Sequence, residues 1–391
     1  MWRQWRGTIV RSVVKNEAAP NVVWAIALLV SIRVWPGVFT QSIAFFTGQH
    51  SMRPASAAAV TALLAPLEGS WKIAQQLVAF VLSFFLSQTY AVWRKVYTLT
   101  RQIQGRLSDV GLLFAVNAER DELGVMTPRA LAAVETSARY ARLFNVLYFA
   151  SITRQYAPLA TPAGLRALVA SGDLLTEEER LVLVETSSWH QTVCAWLGAV
   201  LATAAADGAI LGGVSTQYHL SKTLTTLRAT YASIPDQLAG RMPLAYAHMV
   251  QLLVDLLCLT APLALLGQLG AVGAVAGTAF LTLFYAGVND LAKMFLDPFD
   301  NETSDSRSGI KIEADTLIAE VNALTRRWAA CTAQLPTAAL PQPTQSHKAS
   351  TDDAPQQPQK REFDFPIVPS NNILALGLAD TFVPQMPDFL Q

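Results

Sequence analysis

The sequence predicts an all-α, polytopic membrane protein with four transmembrane helices and a large helical region on the cytosolic side. Three observations carry this. Apolar residues make up 52% of the chain and charged residues only 15%, about ten percentage points less charge than an ordinary soluble domain carries. Four segments have the roughly 20 mostly apolar residues that a membrane helix needs. Apolar residues recur at three- and four-residue spacing, and no stretch shows the period of two that marks a strand.

The elements follow in order. The start, "MWRQWRGTIVRSVVK", is basic and lacks an apolar run ending in a small-residue cleavage site, so it does not read as a secretory signal. The first hairpin falls within residues 1–93, with spans at about 21–46 and 70–93 joined by a loop carrying "GQHSMRPAS". Residues 94–243 form the helical cytosolic region. There "PRALAAVETSARYARLFNVLYFASITRQY" keeps helical spacing, while "TPAGL" and "SGDLLTEEER" supply breakers and caps. A second hairpin occupies 244–290, with spans at about 244–266 and 269–287 separated only by Gly267 and Gln268. Residues 291–336 hold the acidic Pro-Phe turn within "KMFLDPFDNETSD" and a further cytosolic helix. Beyond about Thr337 the chain is rich in Pro, Gln, Ser and charge, a composition that cannot bury enough apolar area to offset its ordering entropy. Residues 337–391 therefore read as a flexible tail, whose final aromatic and aliphatic residues offer a docking patch for the protein itself or a partner.

Basic residues set the topology, because Lys and Arg stay on the cytoplasmic side. Arg3, Arg6, Arg11 and Lys15 precede the first span, Lys293, Arg307 and Lys311 follow the last, and the two hairpin loops hold only Arg53. Both termini and the middle region thus share one side. The apolar stretch Trp189–Gly213 would add a fifth crossing and put basic flanks on opposite sides, so it is assigned to a buried helix of the middle region.

Several functions are disfavoured. With 29 basic and 29 acidic residues, no net field recruits nucleic acid. Cys194, Cys258 and Cys331 fit neither a zinc site nor a disulfide framework. No phosphate-binding loop, zinc-protease or nucleophile-elbow motif is present, and the five histidines are scattered, so the chain does not read as an enzyme. "DPFDNETSDSRS" fails as an EF-hand, with Phe at position three and no Gly at six.

Two constellations remain. Gln76, Phe80, Phe84 and Gln88 recur every four residues near one face of the second span. Around an axis of several copies, the two aromatics would form an apolar constriction with amides at its mouths, a neck able to gate by dewetting. Spacing alone leaves open that they pack between helices or against lipid. Arg33 in the first span and Asp255 in the third are the two clear cases of charge within spans, where charge is costly without water or a partner. They read either as a pair or as a device for attracting anions.

The chain resembles the bestrophin family of anion channels. The resemblance rests on "WRGTIVRSVVK" from Trp5, "RYARLFNVL" from Arg139, "LVASGDLLTEEE" from Leu168, "TLR" from Thr226, "PLAYAH" from Pro243 and "DPFDNE" from Asp297, in family order over most of the chain except its tail. It implies a homopentamer in a lipid bilayer, passing chloride and bicarbonate, with the second span lining the pore. The three neck positions fall on Gln76, Phe80 and Phe84; Gln76 departs from the apolar pattern and implies a wetter outer end. A cytosolic constriction is expected near Ile210. The calcium clasp of animal members would map to the carbonyls of Met294 and Asp297 and the carboxylates of Glu302 and Asp305. Thr303 and Ser304 interrupt its acidic run, and its N-terminal carbonyl has no counterpart from Met1 onward. The Ile234–His248 stretch is similar to plant and algal members, which points to a thylakoid membrane, with a plasma membrane as the other location. The rival reading is a membrane scaffold with vestigial conduction whose tail recruits a protein partner.

Overall fold

The computed structural model describes residues 13–35, 57–301 and 310–336, all in the first of two units of the chain, Met1–Leu340. Among the described residues extended pairing is limited to isolated bridges joining Ala118 to Ile210, Arg120 to Met126 and Val125 to Gln334. The rest is helical or turn. A π-helical turn, Val14–Ala18, leads into α1, Ala19–Val34. Then come α2, Ala57–Val116; α3, Pro128–Ile152; α4, Pro162–Ala170; α5, Glu177–Val184; α6, Trp189–Ala206; α7, Gly213–Ala239; α8, Leu244–Leu296; and α9, Ala314–Thr332. Among the described residues three runs are long and apolar enough to cross a membrane: Asn16–Val34, Leu67–Val116 and Leu244–Leu296.

The first run ends at Trp35, whose N–H closes on the Ser31 carbonyl at 2.8 Å. The ring of Pro36 disfavours helical backbone at the residue before it, and Trp35 has left the helix at φ −124°, ψ 60°. The remainder of the expected first span, residues 36–46, lies outside the described residues.

α2 differs most from expectation. A span of 70–93 is expected, yet the helix has 60 residues, about 90 Å at a rise of 1.5 Å per residue. The reason lies in residues 94–116, which contain no proline. Val96, Leu99, Ile103, Leu107, Val110 and Phe114 keep the helical apolar spacing and are all buried. One unbroken rod therefore carries the membrane segment directly into the middle region, where it packs on α3, α7 and α9.

α8 folds back on itself at Gly270, with φ 67° and ψ −179°, a backbone conformation essentially restricted to glycine. Beyond it the chain retraces its path: Asn289 Nδ2 donates to Gln251 Oε1 at 2.5 Å. Near the bend, a Cβ added to Gly277 would lie 2.8 Å from Leu265 Cδ1. The third apolar run is thus two antiparallel arms, reversing just past the Gly267–Gln268 linker. Trp71, Val78, Leu82 and Phe85 of α2 pack on Ala247, Val250, Val254, Leu257 and Ala261 of α8. Small residues let helix axes approach closely, as lipid-embedded packing requires. Indole donors bind the first arm as well, Trp71 Nε1 to the Leu257 carbonyl at 3.2 Å and Trp24 Nε1 to the Leu259 carbonyl at 3.3 Å.

In the middle region α3 is buried on every side from Leu143 to Ala150, the mark of a central helix. α6 lays Val193, Leu197, Leu201 and Ala204 into this core and packs on α3 and α7. The apolar segment from Trp189 is thereby a helix of the middle region, followed by a turn over residues 207–212.

Candidate functional site

The face of α2 turned away from α8 carries the candidate site. Successive residues advance by about 100° around a helix. Trp71, Val78, Leu82, Phe85 and Thr89 mark the packed face, and Phe80 lies diametrically opposite their centre. Ile73 and Ser87 fall near the same line, with Gln76 and Phe84 about 40° to either side. In the single chain Phe80 is 71% exposed and Phe84 49%, and Gln76, Ser83, Ser87 and Gln88 are exposed too. The stripe therefore mixes aromatic rings with amides and hydroxyls. A wholly lipid-facing stripe would leave those polar groups unsatisfied in hydrocarbon.

The acidic turn closes α8. The Asp297 N–H donates to the Met294 carbonyl at 3.3 Å, the Asp300 N–H to the Asp297 carbonyl at 3.1 Å and the Ile312 N–H to the Pro298 carbonyl at 2.7 Å. Asp300 adopts a left-handed φ of 56°, which acidic and amide side chains tolerate better than most. Phe299 is buried against Phe149, ring centroids 6.4 Å apart. Asn301 clamps the turn to the end of α3, its Nδ2 donating to the Ile152 carbonyl at 2.9 Å and its Oδ1 accepting from the Arg154 N–H at 2.7 Å. Beside it a cavity of about 460 Å³ is bounded by Leu238, Ala239, Arg241, Asp297, Phe299 and Asn301. Each carbonyl expected in a calcium clasp thus already accepts a backbone N–H, and Glu302 and Asp305 lie outside the described residues. Among the described residues no cluster of three or more acidic, His or Cys side chains is arranged for a metal ion.

The other expected residues separate. Ile210 is only 5% exposed and packs in the protomer's own core with Phe114, Ala118 and Leu197. In the single chain this side chain thus faces the protomer's own core and not its surface. The Leu211 N–H donates to the Asn117 carbonyl at 2.7 Å, which turns the next side chains outward: Leu211 is 50% exposed and Val214 83%. Arg33 and Asp255 do not pair. Arg33 lies in the last turn of α1, whereas Asn21 near the start of that helix already reaches Thr282, far from Gly270 along the returning arm of α8. Asp255 instead accepts from Gln251 Nε2 at 2.6 Å.

Gln251 is the hub of a network that the expectations omit. Its Oε1 accepts from Asn289 Nδ2 and from Lys293 Nζ, joining the two arms of α8. The available signal is the pair of four-residue spacings, Gln251 to Asp255 and Asn289 to Lys293, within otherwise apolar helices. In the middle region His190 lies among Tyr148, Tyr231 and Phe144, ring centroids 5.6, 5.5 and 6.4 Å away. Burial lowers its pKa and pushes the Cys194 thiol up to about 11, so both are packed, neutral groups at physiological pH.

Comparison with known proteins agrees with this architecture. A family model described as bacterial/fungal bestrophin protein matches residues 1–322. A bestrophin homologue from Klebsiella pneumoniae with a tryptophan-to-alanine mutation superposes with a TM-score of 0.62 at 16% identity, covering 83% of this chain and 100% of that one. A form of the Klebsiella pneumoniae homologue with a tyrosine-to-alanine mutation gives 0.60 at 16%, covering 80% and 98%. A structure of the homologue phased on zinc gives 0.58 at 19%, covering 82% and 98%. No curated protein matches the chain. The branch matched is bacterial and fungal, where the Ile234–His248 stretch points to plants and algae. With its apolar helices and this family match over most of its length, the chain is an integral membrane protein and belongs to the bestrophin family.

Proposed function

We propose that the chain forms a homopentameric, anion-selective channel for chloride and bicarbonate, each copy crossing the membrane four times and α2 lining the central conduit. The observation that supports this best is the Phe80 stripe. It lies directly opposite the packed face of α2, and its mixture of Gln76, Ser83, Ser87 and Gln88 with Phe80 and Phe84 suits neither lipid nor the protomer's core. It suits a narrow, intermittently wetted passage. Phe80 and Phe84, about 6 Å apart along the helix, form two rings of an apolar neck. Gln76 makes its outer mouth wetter.

Chloride and bicarbonate would cross by partial dehydration at the neck, with selectivity aided by the positive ends of helix dipoles. Four crossings follow from α1, α2 and the two arms of α8, with the remainder of the first span outside the described residues. The clamp of Asn301 on the end of α3 supports placing the exit of α8 on the same side as the middle region. Reconstitution of the full chain in planar bilayers tests the reading. Replacing both Phe80 and Phe84 by Ala is expected to raise open probability or conductance severalfold, as loss of an apolar barrier does. A wild-type current that the double variant leaves unchanged removes these residues from the pore.

A further inference from the structure

Below the neck, α2 continues without a break, so any face that borders the conduit at Phe80 continues toward the middle region at the same azimuth. Five turns of an α-helix are 18 residues. Arg94 therefore stands in line with Gln76, Lys95 with Leu77, and Thr98 with Phe80. Arg94 and Lys95 are both exposed in the single chain. The first of them lies about 15 Å beyond Phe84 along the helix axis.

These two differ from the next basic residues along the same helix. Arg101 Nη1 meets Glu320 Oε2 at 2.6 Å, and Arg106 Nη1 meets Asp109 Oδ2 at 3.2 Å. Among the described residues no carboxylate pairs with Arg94 or Lys95. The neighbouring positions that do reach other elements use aromatic and apolar groups: Trp93 donates to the Ile310 carbonyl at 2.9 Å and stacks on Tyr97. Among the described residues the rod thus presents two positive charges without a carboxylate partner on the continuation of its neck-bearing face. Their place at the end of the span meets the rule that basic residues stay on the cytoplasmic side; their azimuth, in line with Gln76 and Leu77, is what that rule does not set.

We propose that Arg94 and Lys95 form an anion-collecting ring at the inner side of the neck, concentrating small inorganic or carboxylate-like anions before they reach Phe84. The proposal rests on the reading that this face of α2 lines the conduit. It adds a fixed-charge element to selectivity otherwise assigned to the apolar neck and helix dipoles. Charges lining a low-dielectric cleft raise local counter-ion concentration and entry rates by about 10- to 1,000-fold. The effect depends on salt, because the screening length falls from about 30 Å at 0.01 M to about 3 Å at 1 M.

The test uses the full chain in planar bilayers with symmetric KCl. For R94Q/K95Q, chloride current entering from the middle-region side is expected to fall at least roughly threefold at about 0.02 M salt, with new rectification, and to match wild type at about 1 M. R94C in a K95Q background supplies a second readout on assembled protein: a cationic thiol reagent restores the low-salt current, and a neutral reagent of similar size does not. Unchanged low-salt conductance in R94Q/K95Q, or equal rescue by both reagents, overturns the proposal. The double Ala variant at Phe80 and Phe84 is recorded in parallel. If it alters the current while R94Q/K95Q does not, the charge ring fails and the neck stands; if neither alters it, the conduit reading fails as well.

Discussion

Arg139 holds Glu179 with both ends of its guanidinium, Nη1 to Oε2 and Nη2 to Oε1 at 2.7 Å each, across 40 residues of sequence. The Tyr140 hydroxyl donates to the same carboxylate at 2.7 Å. Glu179 also closes a capping box with Thr176 at the start of α5. Two of the stretches that carry the family resemblance, from Arg139 and from Leu168, are thus in register because their ends meet at this pair. Bidentate geometry is the strongest form of such a contact.

Burial raises the Glu179 carboxyl, but hydrogen bonds from Arg139, the Thr176 N–H and Tyr140 outweigh it and hold the group at about 2. A carboxyl depressed in the folded state contributes stability that is complete above its ordinary value of 4.5 and is lost as pH falls toward 2. Glu179→Gln is expected to cost about 1.5–3 kcal/mol at neutral pH. It should also flatten the acid limb of a plot of thermal midpoint against pH in detergent. An acid limb identical to wild type would mean that the pair does not govern it.

The buried Ile210 and the exposed Leu211 of the α6–α7 turn offer a test of which side chain borders the proposed conduit. Ile210→Ala should destabilise the chain by roughly 2–5 kcal/mol while leaving the conductance of surviving channels near wild type. Leu211→Ala should leave stability nearly unchanged and alter conductance or ion preference. Paired unfolding curves and single-channel records check this, and the reverse outcome would make Ile210 the constriction.

Asn301 lies in an Asn-Glu-Thr sequon, yet both polar atoms of its side chain are engaged with α3. Asn301→Ala is expected to remove one part-buried and one exposed hydrogen bond, at about 0.5–1.5 kcal/mol each, and to raise protease sensitivity beyond Leu296. Expression through a secretory route should leave Asn301 unmodified. A glycan there would place the turn on the opposite side of the membrane from the basic flanks.

Much of this architecture is legible in the residues because local chemistry decides it. Gly267 and Gln268 between two apolar runs allow only a tight reversal, and the structure reverses a few residues later where Gly270 supplies the backbone freedom. Pro298 and Phe299 mark the end of α8 because one cannot continue the helix and the other has a core to enter. What spacing could not reveal is long-range. The end of α2 at Val116 depends on α3, α7 and α9 burying the face that runs from Val96 to Phe114. The inward turn of Ile210 depends on the backbone of Asn117, and the hub at Gln251 depends on which residues of a hairpin face one another. The Phe80 stripe is intermediate: a four-residue spacing names it, and only the packed face opposite shows that the protomer leaves it uncovered.

The measurement that bears most directly on the central claim is the reversal potential of the reconstituted full chain under a KCl gradient, repeated with bicarbonate replacing chloride on one side. The account predicts a potential near the chloride equilibrium value and a measurable bicarbonate current. A potential near the potassium equilibrium value, or a bilayer that stays silent, would contradict it.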